Sequence, residues 1–141
     1  MNETLISDDL MQAYEATNFK VLSDPPFILN IGKPSKEVSE IFTQTSTSCA
    51  AYITAFNPYS ETMSDAENIQ AHKRLISQLA QDGYEIIDAI GEDPNGEWPG
   101  ETSVFVFQMS KEHAIKYGRQ FRQNAIVWID NKGVPELVTL R

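Results

Sequence analysis

The order of short apolar segments and capped helical segments constrains the fold of this chain more than any other feature. The stretches CAAYITAF, YEIIDAI, TSVFVFQM and NAIVWI each have the length of a buried strand. A helical pattern between the first two begins at Ser64, which forms an S-x-x-E capping box with Glu67, and it ends near Gly83. A second helical segment, with Ser110 as N-cap, separates the last two strands. This alternation predicts helices packed on a sheet.

The remaining segments complete the predicted fold. We expect a helix from about Thr4 to Ala16, strands at NFKVL and FILNIG, and a helix after Pro34 with Ser35 as N-cap. The tetrapeptide DNKG, between NAIVWI and VPELVTL, favours a hairpin built on a type I turn. The fold class is therefore predicted to be α+β, a mixed, largely antiparallel sheet of about six to seven short strands packed by about four helices.

Length and composition fit one globular domain over residues 1–141. The hydrophobic fraction of 41% is ordinary for a folded chain. No apolar run approaches the ~20 residues that span a bilayer, and the acidic start MNETLISDDL lacks the basic beginning and apolar centre of a signal peptide. The single cysteine, Cys49, cannot form an internal disulfide. We therefore expect a soluble protein in the cytoplasm with no membrane partner.

The charge balance bears on possible partners. Eleven Lys and Arg against twenty Asp and Glu give a formal net charge of −9, which repels nucleic acid and anionic membranes. Nucleic acid is therefore not an expected partner. The charge favours solubility, and it also permits one functional hypothesis, an acidic inhibitor or nucleic-acid mimic that blocks a basic protein.

Strong catalytic and metal-binding signatures are absent from the sequence. It contains no Walker loop, no G-x-G-x-x-G, no G-x-S-x-G and no H-E-x-x-H. His72 and His113 fall inside predicted helices without a Cys or His at ligand spacing, and the acidic loop EDPNGEWPGE lacks EF-hand spacing. We therefore predict no metal site and no cofactor.

The stretch AFNPYSETMSDAEN, residues 55–68, is the first candidate site. A strand ends at Asn57-Pro58, and the following helix start directs unpaired N–H groups and the positive end of its dipole at the loop. Asn57, Ser60 and Thr62 offer hydrogen bonds there, although Ser64 and Glu67 already occupy part of the helix terminus. The alternative interpretation is an Asx-type turn followed by a helix cap.

The stretch GRQFRQNAIVW, residues 118–128, is the second candidate site. Gln123 and Asn124 place two amides at a helix-to-strand boundary, where Arg119 and Arg122 can lie near them. Amides with guanidinium groups suit a planar or anionic ligand, such as a nucleotide or a carboxylate. Alternatively, Asn124 ends the helix and the arginines pair with the acidic loop.

These stretches carry a family resemblance. The motifs FNP, S-x-x-EN, H-x-x-L and G-x-x-F-x-QNA, in this order and spacing, resemble the uncharacterised bacterial domain-of-unknown-function family number 3293, over a core of about residues 50–129. The family usually carries Arg where this chain has Ala71, so a role for that arginine is not carried over. The resemblance brings no established activity. It implies that the polar residues within the motifs belong to one shared pattern: Asn57, Glu67, Asn68, Gln123 and Asn124.

Two further hypotheses about function stand beside the acidic mimic. The leading one is a non-catalytic binding or regulatory domain for a protein or a small anionic ligand. The other is an enzyme acting on a nucleotide-like or other anionic small molecule, in which Glu67 is the general base, Asn57 and Asn124 orient the substrate and Arg119 neutralises charge. The predicted ligand-binding residues are Asn57, Ser60, Thr62, Glu67, Asn68, Arg119, Gln123 and Asn124.

Overall fold

Four α-helices and seven strands follow one another along residues 6–141, the part of the chain that the computed structural model describes. The elements are α1 (Asp8–Ala16), β1 (Asn18–Val21), β2 (Phe27–Leu29), α2 (Lys36–Thr45), β3 (Ala50–Thr54), a short 3-10 turn (Pro58–Ser60), α3 (Asp65–Gln81), β4 (Ile86–Glu92), β5 (Glu101–Phe107), α4 (Lys111–Gln120), β6 (Ala125–Ile129) and β7 (Pro135–Thr139). The first residues of the predicted N-terminal helix, 4 and 5, lie outside the described residues. None of the described helices is both long and apolar enough to cross a membrane.

The predicted helix caps are confirmed. The hydroxyls of Ser35, Ser64 and Ser110 each accept a hydrogen bond from the backbone N–H three residues further on. Gly83 has φ +83° directly after α3, as a left-handed stop requires. In the DNKG hairpin, Gly133 has φ +76° and its N–H donates to the carbonyl of Asp130 over 3.0 Å. Local sequence therefore fixes where three of the helices begin and how the last hairpin turns.

The sheet has the strand order β2-β1-β4-β5-β3-β6-β7, and every neighbouring pair is antiparallel. The α+β class and the largely antiparallel sheet are confirmed, and the sheet contains no parallel pair among the described strands, whereas a partly mixed one was predicted. The reason is that the two parallel strands of each strand–helix–strand unit are not neighbours in the sheet, because another strand lies between them. Strands β3 and β4 are parallel with β5 between them, and β5 and β6 are parallel with β3 between them. These four strands with α3 and α4 have the β-α-β-β-α-β ferredoxin-like topology.

Helices cover both faces of the sheet. On one face, α3 and α4 bury Leu75, Leu79 and Tyr117 against β3, β5 and β6. On the other face, α2 buries Val38 and Phe42. The helices α3 and α4 run antiparallel, since the start of α3 lies beside the end of α4 and the Tyr117 hydroxyl reaches Asp82 at the end of α3. Their outer polar sides therefore face each other across a cleft.

Candidate functional site

A closed set of hydrogen bonds holds the loop that follows β3. The Asn57 side chain accepts from Asn68 Nδ2 over 2.9 Å and from the Met63 N–H over 3.0 Å, and its own Nδ2 donates to Glu101 Oε2 over 2.8 Å. The Asn57 N–H donates to Asn68 Oδ1 over 2.9 Å. We call Asn57, Asn68 and Glu101 the loop cluster. Its side-chain amides bond to one another, to the backbone and to the Glu101 carboxylate.

A second set of contacts holds the far side of the same loop. Asn124 Nδ2 donates to Ser60 Oγ over 2.9 Å, and Asn124 Oδ1 accepts from Arg141 Nη1 over 3.1 Å. The Tyr14 hydroxyl of α1 lies 3.4 Å from the same Ser60 oxygen. Arg141 also places its guanidinium 4.0 Å from the centre of the Tyr59 ring, at cation–π distance. Residues from α1, from the position before β6 and from the C-terminal end of the described chain thus converge on one loop.

Gln123 is buried and serves the same loop. Its Nε2 donates to the carbonyl of Phe56 over 3.1 Å and to that of Phe121 over 3.2 Å. Such bonds compensate for burying the amide, which is only 6% exposed. Gln123 therefore ties the end of α4 to the end of β3.

Most of the predicted ligand-binding amides thus lie close together, but they face inward. Asn57, Asn68, Gln123 and Asn124 donate to protein oxygens, as described above, which agrees with the alternative interpretation of the loop as a well-bonded turn. Thr62 is exposed in the loop.

The loop also has an unusual backbone and an unusual carboxyl group. Asn57, Tyr59 and Ser60 have φ of +48°, +54° and +62°, a region that residues other than glycine seldom occupy. Burial raises the pKa of Glu101 above its usual range, and the Asn57 amide that bonds to it offsets part of the rise. The loop cluster therefore combines backbone strain with a carboxylate that ionises less readily than normal.

Next to the loop, an open groove of about 700 Å³ lies between α3 and the end of α4. We call it the main groove. Four of the α3 side chains that line it, Glu67, Gln70, Arg74 and Gln78, recur every three or four residues and so form one helix face. The other residues that line it are Ala55, Pro58, Met63, Ala66, Asn68, Ala71, Gln120, Phe121 and Arg122.

Two arginines, Arg74 and Arg122, line the main groove. Within residues 6–141 the ion pairs join Lys20 to Glu92 and Lys111 to Glu136, so neither Arg74 nor Arg122 has a carboxylate partner there. Arg122 follows α4 in a left-handed turn, with φ +56°, and its carbonyl accepts the Tyr59 N–H over 2.7 Å. Arg119 is exposed in the last turn of α4 and does not line the groove. Of the two arginines that the sequence placed near Gln123 and Asn124, Arg122 lines the groove and Arg119 does not.

Glu67 lines the same groove from the start of α3. Its Oε1 accepts a hydrogen bond from the Ser64 hydroxyl over 2.9 Å, while its N–H donates to Ser64 Oγ over 3.1 Å. The capping box is therefore present, although the carboxylate bonds to the serine hydroxyl and not to its backbone N–H. The positive end of the α3 dipole further stabilises this negative charge.

A second pocket, of about 400 Å³, continues the cleft toward the end of α3. The Tyr84 hydroxyl and His113 Nδ1 lie 2.7 Å apart, and the Tyr117 hydroxyl donates to the Asp82 carboxylate. Burial and the neighbouring Asp82 raise the pKa of Tyr117, so its phenol stays protonated as a donor. Lys116 also lines this second pocket.

One pair of side chains separates the two cavities. Gln78 and Gln120 line both of them, and each amide donates to the oxygen of the other. This glutamine pair lies at the middle of the cleft, with the arginines on one side and the tyrosines on the other.

Sequence reasoning missed the cleft although a signal for it was present. Beside the apolar stripe of α3 runs a polar stripe at helical spacing, formed by Glu67, Gln70, Arg74 and Gln78. A polar stripe of this kind is ordinarily the solvated face of a helix. What makes it a candidate site is the facing polar side of α4, which sequence alone does not place.

The acidic loop and the histidines form no metal centre in the part of the chain described. The Asp93 carboxylate accepts the N–H groups of Asn95 and Glu97, over 3.1 and 2.7 Å, as in an Asx turn. Among residues 6–141 no group of three or more His, Cys, Asp and Glu side chains lies close enough together to hold a metal ion.

Comparison with known proteins gives one match. A family model described as "Protein of unknown function (DUF3293)" matches residues 53–126, just over half of the chain. This range runs from β3 to β6 and includes the loop cluster, α3 and α4. No curated protein and no solved structure matches the chain. The chain belongs to the DUF3293 family of proteins of unknown function.

Proposed function

We propose that this protein is a binding domain for a small anionic ligand, which it holds in the main groove between α3 and the end of α4. The observation that carries the proposal is that Arg74 and Arg122 line one open groove and have no carboxylate partner among residues 6–141. Guanidinium groups bind carboxylate and phosphate through paired, planar hydrogen bonds.

The charge distribution of the whole chain supports a small ligand over a polyanion. With a net charge of −9, the protein repels long nucleic acids at a distance, whereas a single carboxylate or phosphate experiences mainly the local field of the groove. The Glu67 carboxylate repels an anion in the groove. This repulsion is reduced because the carboxylate lies at the N-terminus of α3 and accepts a hydrogen bond from the Ser64 hydroxyl. Gln70 adds an amide that can bond to the same ligand.

A ligand panel with matched arginine variants tests the proposal. Phosphate, sulfate and small carboxylates are added in a thermal-shift assay, and each hit is titrated calorimetrically. A ligand at ~100 times its Kd should raise the free energy of unfolding by about 2.7 kcal/mol. Arg74→Gln and Arg122→Gln should each weaken binding about tenfold or more, whereas Arg119→Gln, an exposed arginine outside the groove, should not.

Two results would overturn the proposal. One is binding that Arg119→Gln weakens as much as Arg122→Gln does, since the anion would then sense only the general charge of α4. The other is the absence of binding by every anion tested.

A catalytic role for Glu67 is the second candidate function, because Glu67 lines the same groove as the two arginines. In that version Glu67 acts as the general base and Arg122, in place of Arg119, neutralises the charge of the substrate. Glu67→Gln discriminates the two functions. A binding domain should hold its anion more tightly after this substitution, since a repelling charge is removed. An enzyme should bind its substrate and lose turnover.

A further inference from the structure

We propose that the main groove and the second pocket form one continuous cleft that binds a nucleoside monophosphate, with its phosphate at Arg74 and Arg122 and its base beyond the glutamine pair. This inference rests on the proposed function, which supplies the anionic end of the ligand. The further step concerns the base of the nucleotide. The second pocket has the appropriate chemistry for a base, and the function proposed above does not use this pocket.

The length of the cleft fits such a ligand. A helix rises about 1.5 Å per residue, so Arg74 and Asp82 lie about 12 Å apart along the axis of α3. Gln78 lies midway between them and faces Gln120 of α4. This spacing is comparable to the length of one extended mononucleotide, with its sugar between Arg74 and the glutamine pair and its base edge within reach of the pair.

The second pocket offers what a planar base requires. Tyr84 lines it with a partly exposed ring that packs edge to face on the buried ring of Tyr117, 6.3 Å between centres, and an aromatic ring is the usual platform for a nucleobase. His113 and Lys116 add polar groups at its rim.

The glutamine pair supplies hydrogen bonds in one plane. Each of the two amides, Gln78 and Gln120, carries a donor and an acceptor side by side, the pattern that bonds to two edge atoms of a base such as adenine. In the structure each amide satisfies the other. A base can therefore take the place of Gln78 at the Gln120 amide, and the Gln78 amide, which is partly exposed, can then bond to water.

Calorimetric titration with a graded set of probes tests the inference. The probes are inorganic phosphate, ribose 5-phosphate and the monophosphates of adenosine, guanosine, cytidine and uridine. We expect at least one nucleotide to bind about tenfold more tightly than ribose 5-phosphate. Gln120→Ala, an exposed position, should abolish the preference for that nucleotide over ribose 5-phosphate. Tyr84→Leu is a second variant for the same effect, and Ser77→Ala on α3 is the control.

The outcomes separate this inference from the proposed function. If ribose 5-phosphate binds as tightly as every nucleotide and Arg122→Gln weakens it, the anion site stands and the nucleotide inference fails. A nucleotide preference that survives in both the Gln120 and the Tyr84 variants also overturns the inference, since the base would then lie elsewhere. If no phosphate compound binds, this inference fails, and the proposed function fails with it only if sulfate and the carboxylates do not bind either.

Discussion

The loop cluster and the cleft between α3 and α4 are neighbours, yet they use polar side chains in opposite ways. In the loop cluster, Asn57 and Asn68 bond to each other, to backbone groups and to Glu101, and Asn68 is only 5% exposed. In the cleft, Arg74 and Arg122 line open space without an ion-pair partner among residues 6–141. The first arrangement stabilises a strained turn, and the second leaves charge available to a ligand.

The comparison teaches that a conspicuous polar motif and a binding surface need not coincide. The FNP and QNA motifs attract attention because amides at element boundaries are common in binding sites. Here the motif amides spend their hydrogen bonds on holding the loop in place. The loop forms one wall of the main groove through Pro58, and the Tyr59 N–H joins it to the backbone of Arg122. The motif residues therefore shape the groove, and side chains from the two helices complete it.

Asn68→Ala should have the largest effect on stability. It removes the bonds that Asn68 makes to the side chain and the N–H of Asn57 and leaves buried groups unpaired, so we expect a loss of about 2–4 kcal/mol of unfolding free energy. Urea denaturation measures the loss. Gln70→Ala, on the exposed face of the same helix, is the control and should change stability by no more than about 0.5 kcal/mol. Equal losses in the two variants would erase the distinction between the regions.

Glu101→Gln should alter the pH dependence of stability. Because burial raises the pKa of Glu101 above 4.5, the folded state binds its proton more tightly than the unfolded state. Its contribution to stability is therefore fully present below pH 4.5 and is lost as the pH rises through the folded pKa. Glutamine keeps an oxygen for Asn57 and has no charge to bury. Relative to the natural protein, the variant should gain stability between pH 4 and pH 7, and a constant difference would contradict this account.

His72 should make the free energy of unfolding change with pH in the opposite direction. Its Nδ1 is buried and has no hydrogen-bond partner among residues 6–141, and burial lowers the pKa of the imidazole below 6.5. The unfolded state therefore binds the proton first, and stability is lost as the pH falls through 6.5. Unfolding titrations of His72→Gln between pH 5 and pH 8 should show a smaller loss toward acid than the natural protein does. If the variant loses as much stability toward acid as the natural protein does, a group other than His72 causes the loss.

The smallest effect on stability is expected in the cleft itself. Arg74→Gln combined with Arg122→Gln removes no ion pair that the structure describes, so unfolding in urea should change by no more than about 0.5 kcal/mol. A loss of 2 kcal/mol or more would show that these arginines, like the loop cluster, serve the fold.

Sequence predicted the local elements well because local chemistry determines them. The serine caps, the stop at Gly83 and the DNKG hairpin each depend on a few adjacent residues. The sheet order could not be predicted in this way, since β5 inserts between β3 and β4 through long-range pairing. That pairing sets Thr54 opposite Ser103 and so brings Glu101 beside Asn57.

The site was predicted only in part, for a related reason. Asn57 and Asn68 are close in sequence, and their proximity was expected. Which arginine enters the groove depends on the left-handed turn at Arg122, and composition does not reveal that turn. The facing stripes of α3 and α4 become one cleft only after both helices pack on the same face of the sheet.

The most direct test of the central claim is an NMR titration of the side-chain amide resonances with adenosine monophosphate. We expect shifts at Gln70, Gln78 and Gln120, which line the cleft, and none at Asn57 and Asn124, which do not. Asn68 lines the main groove, but its buried amide bonds to Asn57, so any shift there should be smaller than those of the three glutamines. Shifts concentrated at the three asparagines would place the ligand in the loop, and shifts at none of the six would leave the cleft without this ligand. Either result would contradict the account.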